Sequence, residues 1–221
     1  MTSATPDRPS PRERRALLEV LAQAFLDNPM NRRIHGPDPG RRLRANRAGL
    51  RSLVLDERPG AETRVVRHAG RVAGGFVAVA PGFFPLPGAS LARQLGCLFH
   101  QGARAMEQWG AVTESLVRAH PSEPHWYLAV LGVSPTCWGL GLGGQLVDAL
   151  SVLTARAPDP IYLESDRAES VAFYRARGFE VVGEQRIFDV PCWRLVRTPT
   201  PPPSGEASDL CNAVARRTAL D

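Results

Sequence analysis

The chain has 221 residues, 43% of them hydrophobic and 22% charged, a balance that suits one soluble globular domain with tails and a sizeable core. No apolar run reaches the roughly 18 residues of a membrane span, the N-terminus has no signal-peptide core, and Cys97, Cys137, Cys192 and Cys211 include no Cys-x-x-Cys pair. These features argue against a membrane protein, a disulfide framework and a structural metal site, and for a cytoplasmic protein with reduced thiols.

All 27 basic side chains are arginine and the net charge is +5, with the excess in the first fifty residues, at Arg8 to Arg15, Arg32-Arg33 and Arg41 to Arg51. Little aromatic interleaving and no zinc-finger or RNP-like pattern accompany it, so it reads as a solvated, partly helical basic face. A nucleic-acid binder would instead show steeply salt-dependent affinity.

Residues 1–11, rich in Pro, Ser and Thr, are expected to be disordered. From Arg12 onward Ala16, Leu17, Val20, Leu21, Ala24 and Phe25 recur at helical spacing until Asp27-Asn28-Pro29 ends the helix. Arg32, Arg33 and His35 then fall in an expected loop, followed by the breaker cluster Gly36-Pro37-Asp38-Pro39-Gly40 and a second helix over 41–55. Residues 64–68 and 72–80 read as an antiparallel hairpin, with Gly74-Gly75 marking a bulge or a close backbone approach. The apolar loop 81–90, PGFFPLPGAS, has the composition of a pocket cover or a packing surface, and 91–118 reads as one or two helices.

Residues 126–150, WYLAVLGVSPTCWGLGLGGQLVDAL, pass from a β-rich run ending at Val133 through a break at Ser134-Pro135 and a crowd of glycines into an apolar helical pattern. Strand, glycine loop and helix start together form a phosphate cradle: glycines admit close backbone approach, and the helix start offers unpaired N–H groups and a positive dipole end. A short strand over 161–164 follows, then a short helix over 170–177 stopped by Gly178. Strands over 179–188 and 192–197 flank an Asp189-Val190-Pro191 turn. Residues 198–221 form a Pro-rich linker and tail, leaving a single domain over 12–197.

Gly139, Gly141 and Gly144 match the dinucleotide fingerprint, with Glu164 about twenty residues on. In a dinucleotide-binding unit, however, the strand runs almost directly into the first glycine and further βα units follow. Here Ser134 to Trp138 intervene and the remaining strands look antiparallel. A Walker loop fails because no Lys-Ser or Lys-Thr follows the glycines. A purely structural glycine turn is the other alternative.

The run LGVSPTCWGLGLGGQLV, followed by LES and SVAFYRARGFEVVG, resembles the GCN5-related N-acetyltransferases, within them the subgroup that includes puromycin N-acetyltransferase. The family's pattern of Val-x-Pro, then Gln or Arg, two residues, Gly, one residue, Gly or Ala falls on Val133, Pro135, Trp138, Gly141 and Gly143. Its later Phe-Tyr, three residues, Gly-Phe pattern falls on Phe173, Tyr174, Gly178 and Phe179. The resemblance spans 125–197, and AFLDNPMNRRIHG resembles the family's first helix and substrate-side loop more loosely.

This resemblance implies an α+β fold, a mixed and mostly antiparallel central sheet flanked by helices, whose parallel fourth and fifth strands (here 126–133 and 161–164) splay apart. It implies acetyl-CoA as cosubstrate. Backbone groups at Leu131, Gly132 and Val133 would pair with the pantetheine arm, and the loop Trp138, Gly139, Leu140, Gly141, Gly143 and Gly144 would hold the pyrophosphate, with Ser170 and Phe173 beside it. Tyr174 would protonate the leaving thiolate. Glu123 and His125, with His120 more distant, are the base candidates at the start of the fourth strand, and Glu164 has either a catalytic or a structural role.

The acceptor would lie near Asn28, Met30, Phe83, Phe84 and Trp193, whose character suits a hydrophobic or aromatic amine, an antibiotic or secondary-metabolite intermediate among them. A monomer or homodimer acting on a small-molecule amine, without nucleic acid or membrane as partner, is the reading that follows.

Three departures qualify the resemblance. Trp138 replaces the usual Gln or Arg, Ser170 stands where the subgroup often has Asn, and the family's first strand is hard to find before Arg12. They motivate a second reading, a CoA-binding module that has lost catalysis and serves as a sensor or interaction domain.

Overall fold

The structure, a computed structural model, describes residues 5–155 and 159–199. Most of the expected C-terminal linker and tail, from residue 200 on, lies outside the described residues, as do residues 1–4. The chain runs α1 (Pro11–Ala24), α2 (Pro29–His35), α3 (Pro39–Leu55), β1 (Ala61–His68), β2 (Arg71–Val79), α4 (Leu91–Gln101), α5 (Ala103–Ala119), β3 (Trp126–Val133), α6 (Leu142–Thr154), β4 (Ile161–Ser165), α7 (Ala168–Arg175), β5 (Glu180–Ile187) and β6 (Val190–Arg197). The six strands form one sheet in the order β1-β2-β3-β4-β6-β5, antiparallel except at β3 and β4. This is the mixed α+β architecture that the resemblance implies, with β3 and β4 as the splayed pair.

The first strand survives as a single bridge. Asp7 exchanges both backbone hydrogen bonds with Val65, at 3.2 and 2.9 Å, so this part of the N-terminal segment, expected to be disordered, is attached to the sheet edge. Pro6, Pro9 and Pro11 flank it and have no N–H to extend the ladder.

Helix α1 starts in a capping box. The Glu13 carboxylate accepts from the Ser10 backbone N–H at 2.9 Å and from its hydroxyl at 2.8 Å, and Arg67 on β1 donates to the same carboxylate at 2.7 Å. These donors, the Ser10 N–H first, hold the Glu13 carboxyl at about 2, from an ordinary 4.5. A depressed folded-state pKa stabilises fully above about 4.5, and that contribution is lost as pH falls toward about 2. For a partly solvated group it is worth about 1 kcal/mol. Urea midpoints measured across this window are expected to fall less steeply in Glu13→Gln than in the wild type; parallel profiles would refute the linkage.

Three apolar clusters fill the layers. One lies between the sheet and α6–α7, around Phe76, Leu128, Leu146, Leu150, Leu163 and Leu195; a second, around Leu17, Leu21, Val54, Val65, Val77 and Val130, lies under α1 and α3. The third seats α2 and α5 on the β5–β6 hairpin through Met30, Ile34, Val112, Ile187, Val190 and Cys192. Gly75 belongs where α1 crosses β2: a Cβ there would lie 2.5 Å from the Arg64 carbonyl and 2.7 Å from Leu17 Cδ1. The neighbouring register shift at Val66/Arg67 supplies the bulge expected at Gly74-Gly75.

A second bulge shapes the site. Val77 faces Val130 and Ala78 faces Leu128, so Ala129 is the extra residue of β3. Strict alternation would put Trp126, Leu128 and Val130 on one face. Instead Trp126 and Leu128 join the α6–α7 cluster while Val130 joins the α1–α3 cluster.

Two local expectations are corrected. Asn28 to His35 is not a loop: Pro29–His35 is helix α2, with Pro29 pre-set for the first turn. The closing turn is Phe188-Asp189, both with positive φ (50° and 66°), while Val190 and Pro191 already belong to β6. Pro191 is tolerated because the pairing of β6 with β4 ends at Trp193, so its missing N–H interrupts no ladder there.

Candidate active site

Strands β3 and β4 pair only at Trp126–Ile161 and Tyr127–Tyr162 and then part. The later backbone groups of β3 therefore have no strand partner on that side. Two cavities open where the strands diverge, and Phe25 and Asn28 line both.

The first cavity lies against β3, the glycine loop and α7. Leu131, Gly132, Val133, Trp138, Gly139, Gly141, Gly143, Gly144, Ser170, Phe173 and Tyr174 line it, and Leu140 does not. Gly139 and Gly141 have positive φ (80° and 75°), which turns the chain into α6 with the N–H groups of its first turn free of any side-chain cap. A Cβ on Gly143 would press on the Phe173 ring at 3.2 Å, and one on Gly144 would meet the Arg177 guanidinium at 3.2 Å. The cradle thus combines close backbone approach, a helix N-terminus and cations, which fits a pyrophosphate.

Trp138 does not supply charge. Its indole N–H donates to the Val133 carbonyl at 2.9 Å, capping the end of β3, and its ring lies 5.6 Å from the Arg167 guanidinium. Arg167 and Arg177 both line the cavity, and Arg177 lies 3.8 Å over the Phe173 ring while donating to the Phe173 carbonyl at 2.8 Å. Neither arginine was legible as a site residue, because no motif spacing marks them.

Tyr174 is buried, its ring packed edge-on against Phe173 at 5.1 Å and Phe179 at 5.3 Å. Burial pushes its phenol well above the usual value, with Arg177 opposing. The group therefore remains protonated at neutral pH, ready to donate.

The second cavity, about 480 Å³, lies among α1 to α5, the β3 bulge, the end of β4 and the β5–β6 hairpin. Its walls are mainly apolar, including Met30, Leu50, Trp109, Val112 and Ile187. Glu164 and Asp166 enter it, and no arginine lines it. The Asp166 carboxylate accepts from the Met30 N–H at 2.8 Å and from Asn28 Nδ2 at 3.1 Å, so a residue from the far end of the chain fixes the start of α2. Burial pushes the Asp166 carboxyl up, and those two bonds oppose the shift. Trp109 Nε1 donates to His35 Nε2 at 3.1 Å; burial, with Arg41 assisting, holds His35 below its usual value and hence neutral.

Asn28 and Met30 thus line the second cavity, and the other residues expected around the acceptor do not. Phe83 is exposed over Gly60, Phe84 stacks on His120 at 3.6 Å, and Trp193 points to the opposite face of β6 from Cys192, its indole donating to Glu184 at 3.0 Å. Glu123 is exposed and His125 half-buried, both outside the two cavities. Gln101, Trp109 and Asp166 were missed, since nothing local ties them to one another.

A sheet opened by two diverging strands, with an anion cradle on one side and an acidic apolar cavity on the other, defines a two-substrate transferase acting on a phosphorylated carrier. The sequence matches the Acetyltransferase (GNAT) family over residues 57–179, and the chain belongs to that family. Enzymes of this family are acetyltransferases that use acetyl-CoA as cosubstrate.

Mycothiol acetyltransferase of Beutenbergia cavernae is 36% identical over 85 residues, which cover 37% of this chain and 29% of that relative's length. Among solved structures, a histone acetyltransferase HPA2 and related acetyltransferase from Corynebacterium glutamicum aligns with TM-score 0.63 and 24% identity, covering 91% of this chain and 99% of its own. The polyamine N acetyltransferase of Drosophila melanogaster aligns with TM-score 0.58 and 20% identity, covering 87% and 98%. Both structural likenesses are of fold. Among the described residues no helix is long and apolar enough to cross a membrane, and no group of His, Cys, Asp and Glu is arranged to hold a metal.

Proposed function

We propose that the protein transfers the acetyl group of acetyl-CoA directly to the primary amine of a compact cationic molecule with an apolar body. The observation that carries this reading is the charge of the second cavity: Glu164 and Asp166 enter an apolar chamber that no arginine lines, in a chain with 27 arginines. Such a chamber favours an ammonium on an apolar frame and disfavours acids and phosphates.

Acetyl-CoA supplies the activated acetyl thioester. The N–H groups of β3 that face away from β2, those of Leu131 and Val133, hold the pantetheine arm and polarise the thioester carbonyl. The glycine loop, the α6 N-terminus, Arg167 and Arg177 hold the phosphates. Tyr174 gives its phenolic proton to the departing thiolate, and Phe25 and Asn28, common to both cavities, mark where amine and acyl carbon meet.

The test is CoA release by the purified chain from acetyl-CoA with a panel of 2-phenylethylamine, tryptamine, agmatine and glucosamine, alongside thermal shift with acetyl-CoA alone. Turnover of the aryl-alkyl amines above the amino sugar is expected. Stabilisation by acetyl-CoA without turnover of any amine would favour the non-catalytic CoA-binding module. Arg167→Ala is expected to raise the KM for acetyl-CoA about 10-fold with little change in kcat, the loss of one charge-assisted phosphate contact; an unchanged KM would remove Arg167 from the cofactor site.

A further inference from the structure

Acetylation of an ammonium removes two protons from its nitrogen as the N–C bond forms and the C–S bond breaks. One ends on the CoA thiol, by way of Tyr174, and the other must leave as free H⁺. That second proton has to reach solvent from inside the acceptor cavity.

Glu164 lines the acceptor cavity, and its Oε1, buried and without a hydrogen-bond partner, lies 3.7 Å from His120 Nδ1, which is also buried and unpartnered. His120 Nε2 lies 2.9 Å from His125 Nε2, and His125 Nδ1 lies 2.7 Å from the Glu123 carbonyl. His120 is the C-cap of α5 and His125 directly precedes β3, so two chain segments place the rings in series.

The donors and acceptors can be assigned along this series. A carbonyl only accepts, so His125 Nδ1 carries the hydrogen and, in the neutral ring, Nε2 is the acceptor. His120 therefore donates from Nε2, which leaves a bare lone pair at Nδ1 facing the Glu164 carboxylate. Two acceptors face each other until Glu164 takes up a proton, and then a donor faces an acceptor.

The other groups around Glu164 hold their protons tightly. Burial and the Glu164 charge push the phenols of Tyr127 on β3 and Tyr162 on β4 up, the same causes push the Cys192 thiol on β6 to about 12, and Arg194 on β6 is a permanent cation. Phe84 lies flat on His120 at 3.6 Å, with Tyr127 and Tyr162 edge-on at 5.0 and 4.9 Å, so the ring is fixed in place and shielded.

The geometry points to a proton exit in which Glu164 takes the proton of the acceptor ammonium and His120 and His125 carry it to the surface. Glu164 is the catalytic base and the two histidines are positioning residues. The proton passes from Glu164 to His120 Nδ1, that of His120 Nε2 passes to His125 Nε2, and half-buried His125 releases its Nδ1 proton to water; the cycle closes when both rings regain their starting tautomers. This rests on the acetyltransferase reading with the amine in the Glu164 cavity.

Nitrogen-15 NMR of the ligand-free full chain tests the series without any substrate. The Nδ1–H tautomer of His125 and the Nε2–H tautomer of His120 are expected; the opposite tautomers would overturn it. In turnover with acetyl-CoA and the fastest amine of the panel, His125→Ala is expected to lower kcat about 10-fold with KM for acetyl-CoA unchanged, and added imidazole to restore most of it. Glu164→Gln is expected to lower kcat about 100-fold without rescue. Wild-type-like kcat in His125→Ala and His120→Asn, or a loss that imidazole does not repair, refutes the exit. Absence of turnover in the wild type instead refutes the acetyltransferase reading, while the tautomer result stands apart from it.

Discussion

Replacing Tyr174 with phenylalanine is expected to lower kcat about 100- to 1,000-fold, the range for loss of a positioned acid, while thermal stabilisation by acetyl-CoA stays at the wild-type level. The variant isolates the proton because the ring keeps its edge-on contacts with Phe173 and Phe179 and only the hydroxyl is lost. Burial raises the phenol, so it is fully protonated through the neutral range and its donation is governed by position. A variant with wild-type kcat would show that the thiolate departs without Tyr174. Loss of acetyl-CoA stabilisation together with activity would show that the hydroxyl serves binding.

Arg42→Met is expected to cost about 3 kcal/mol of folding stability and to raise the KM for the amine while leaving that for acetyl-CoA nearly unchanged. Arg42 is buried, and its guanidinium donates to the carbonyls of Leu26, Gly36 and Pro37 at 2.9, 2.9 and 2.6 Å and to the Asp27 carboxylate at 2.8 Å. One side chain thus joins the connection after α1 to the connection after α2, and between them stand Asn28, Met30 and His35 of the acceptor cavity. Methionine keeps most of the volume and leaves these acceptors without their donor. Urea unfolding and initial rates with both substrates measure the two effects. A cost below about 1 kcal/mol would mean that water replaces the guanidinium, as it does for exposed groups.

The arginine excess of the N-terminal region is explained in part by such contacts. Arg42, Arg47 and Arg67 pair with Asp27, Glu19 and Glu13, and Arg67 also reaches Asp7. These arginines fasten helices and the sheet edge to one another, and the cofactor cradle draws its cations from the other end of the chain, at Arg167 and Arg177.

The elements legible from sequence are those whose cause lies within a few residues. The glycine turn at Gly139 and Gly141, the hairpin of β1 and β2 and the stop at Gly178 are each set by local backbone preference and one or two short hydrogen bonds. The glycine cradle belongs to the same group, since a strand, a glycine turn and a helix start make it from consecutive residues.

The acceptor side has no such local cause. Helix α2 is capped by Asp166, 136 residues from Met30, so nothing next to Asn28 announces a helix. The extra residue at Ala129 arises from the pairing of β2 with β3, and it decides which face Val130 takes. Glu164, His120 and His125 meet only because the end of α5, the start of β3 and the exit of β4 are packed together. Short-range hydrogen bonding wrote the strand, glycine turn and helix start of the first cavity into 126–150, whereas the second cavity and its charge were decided by packing that brings distant side chains into a low-dielectric space.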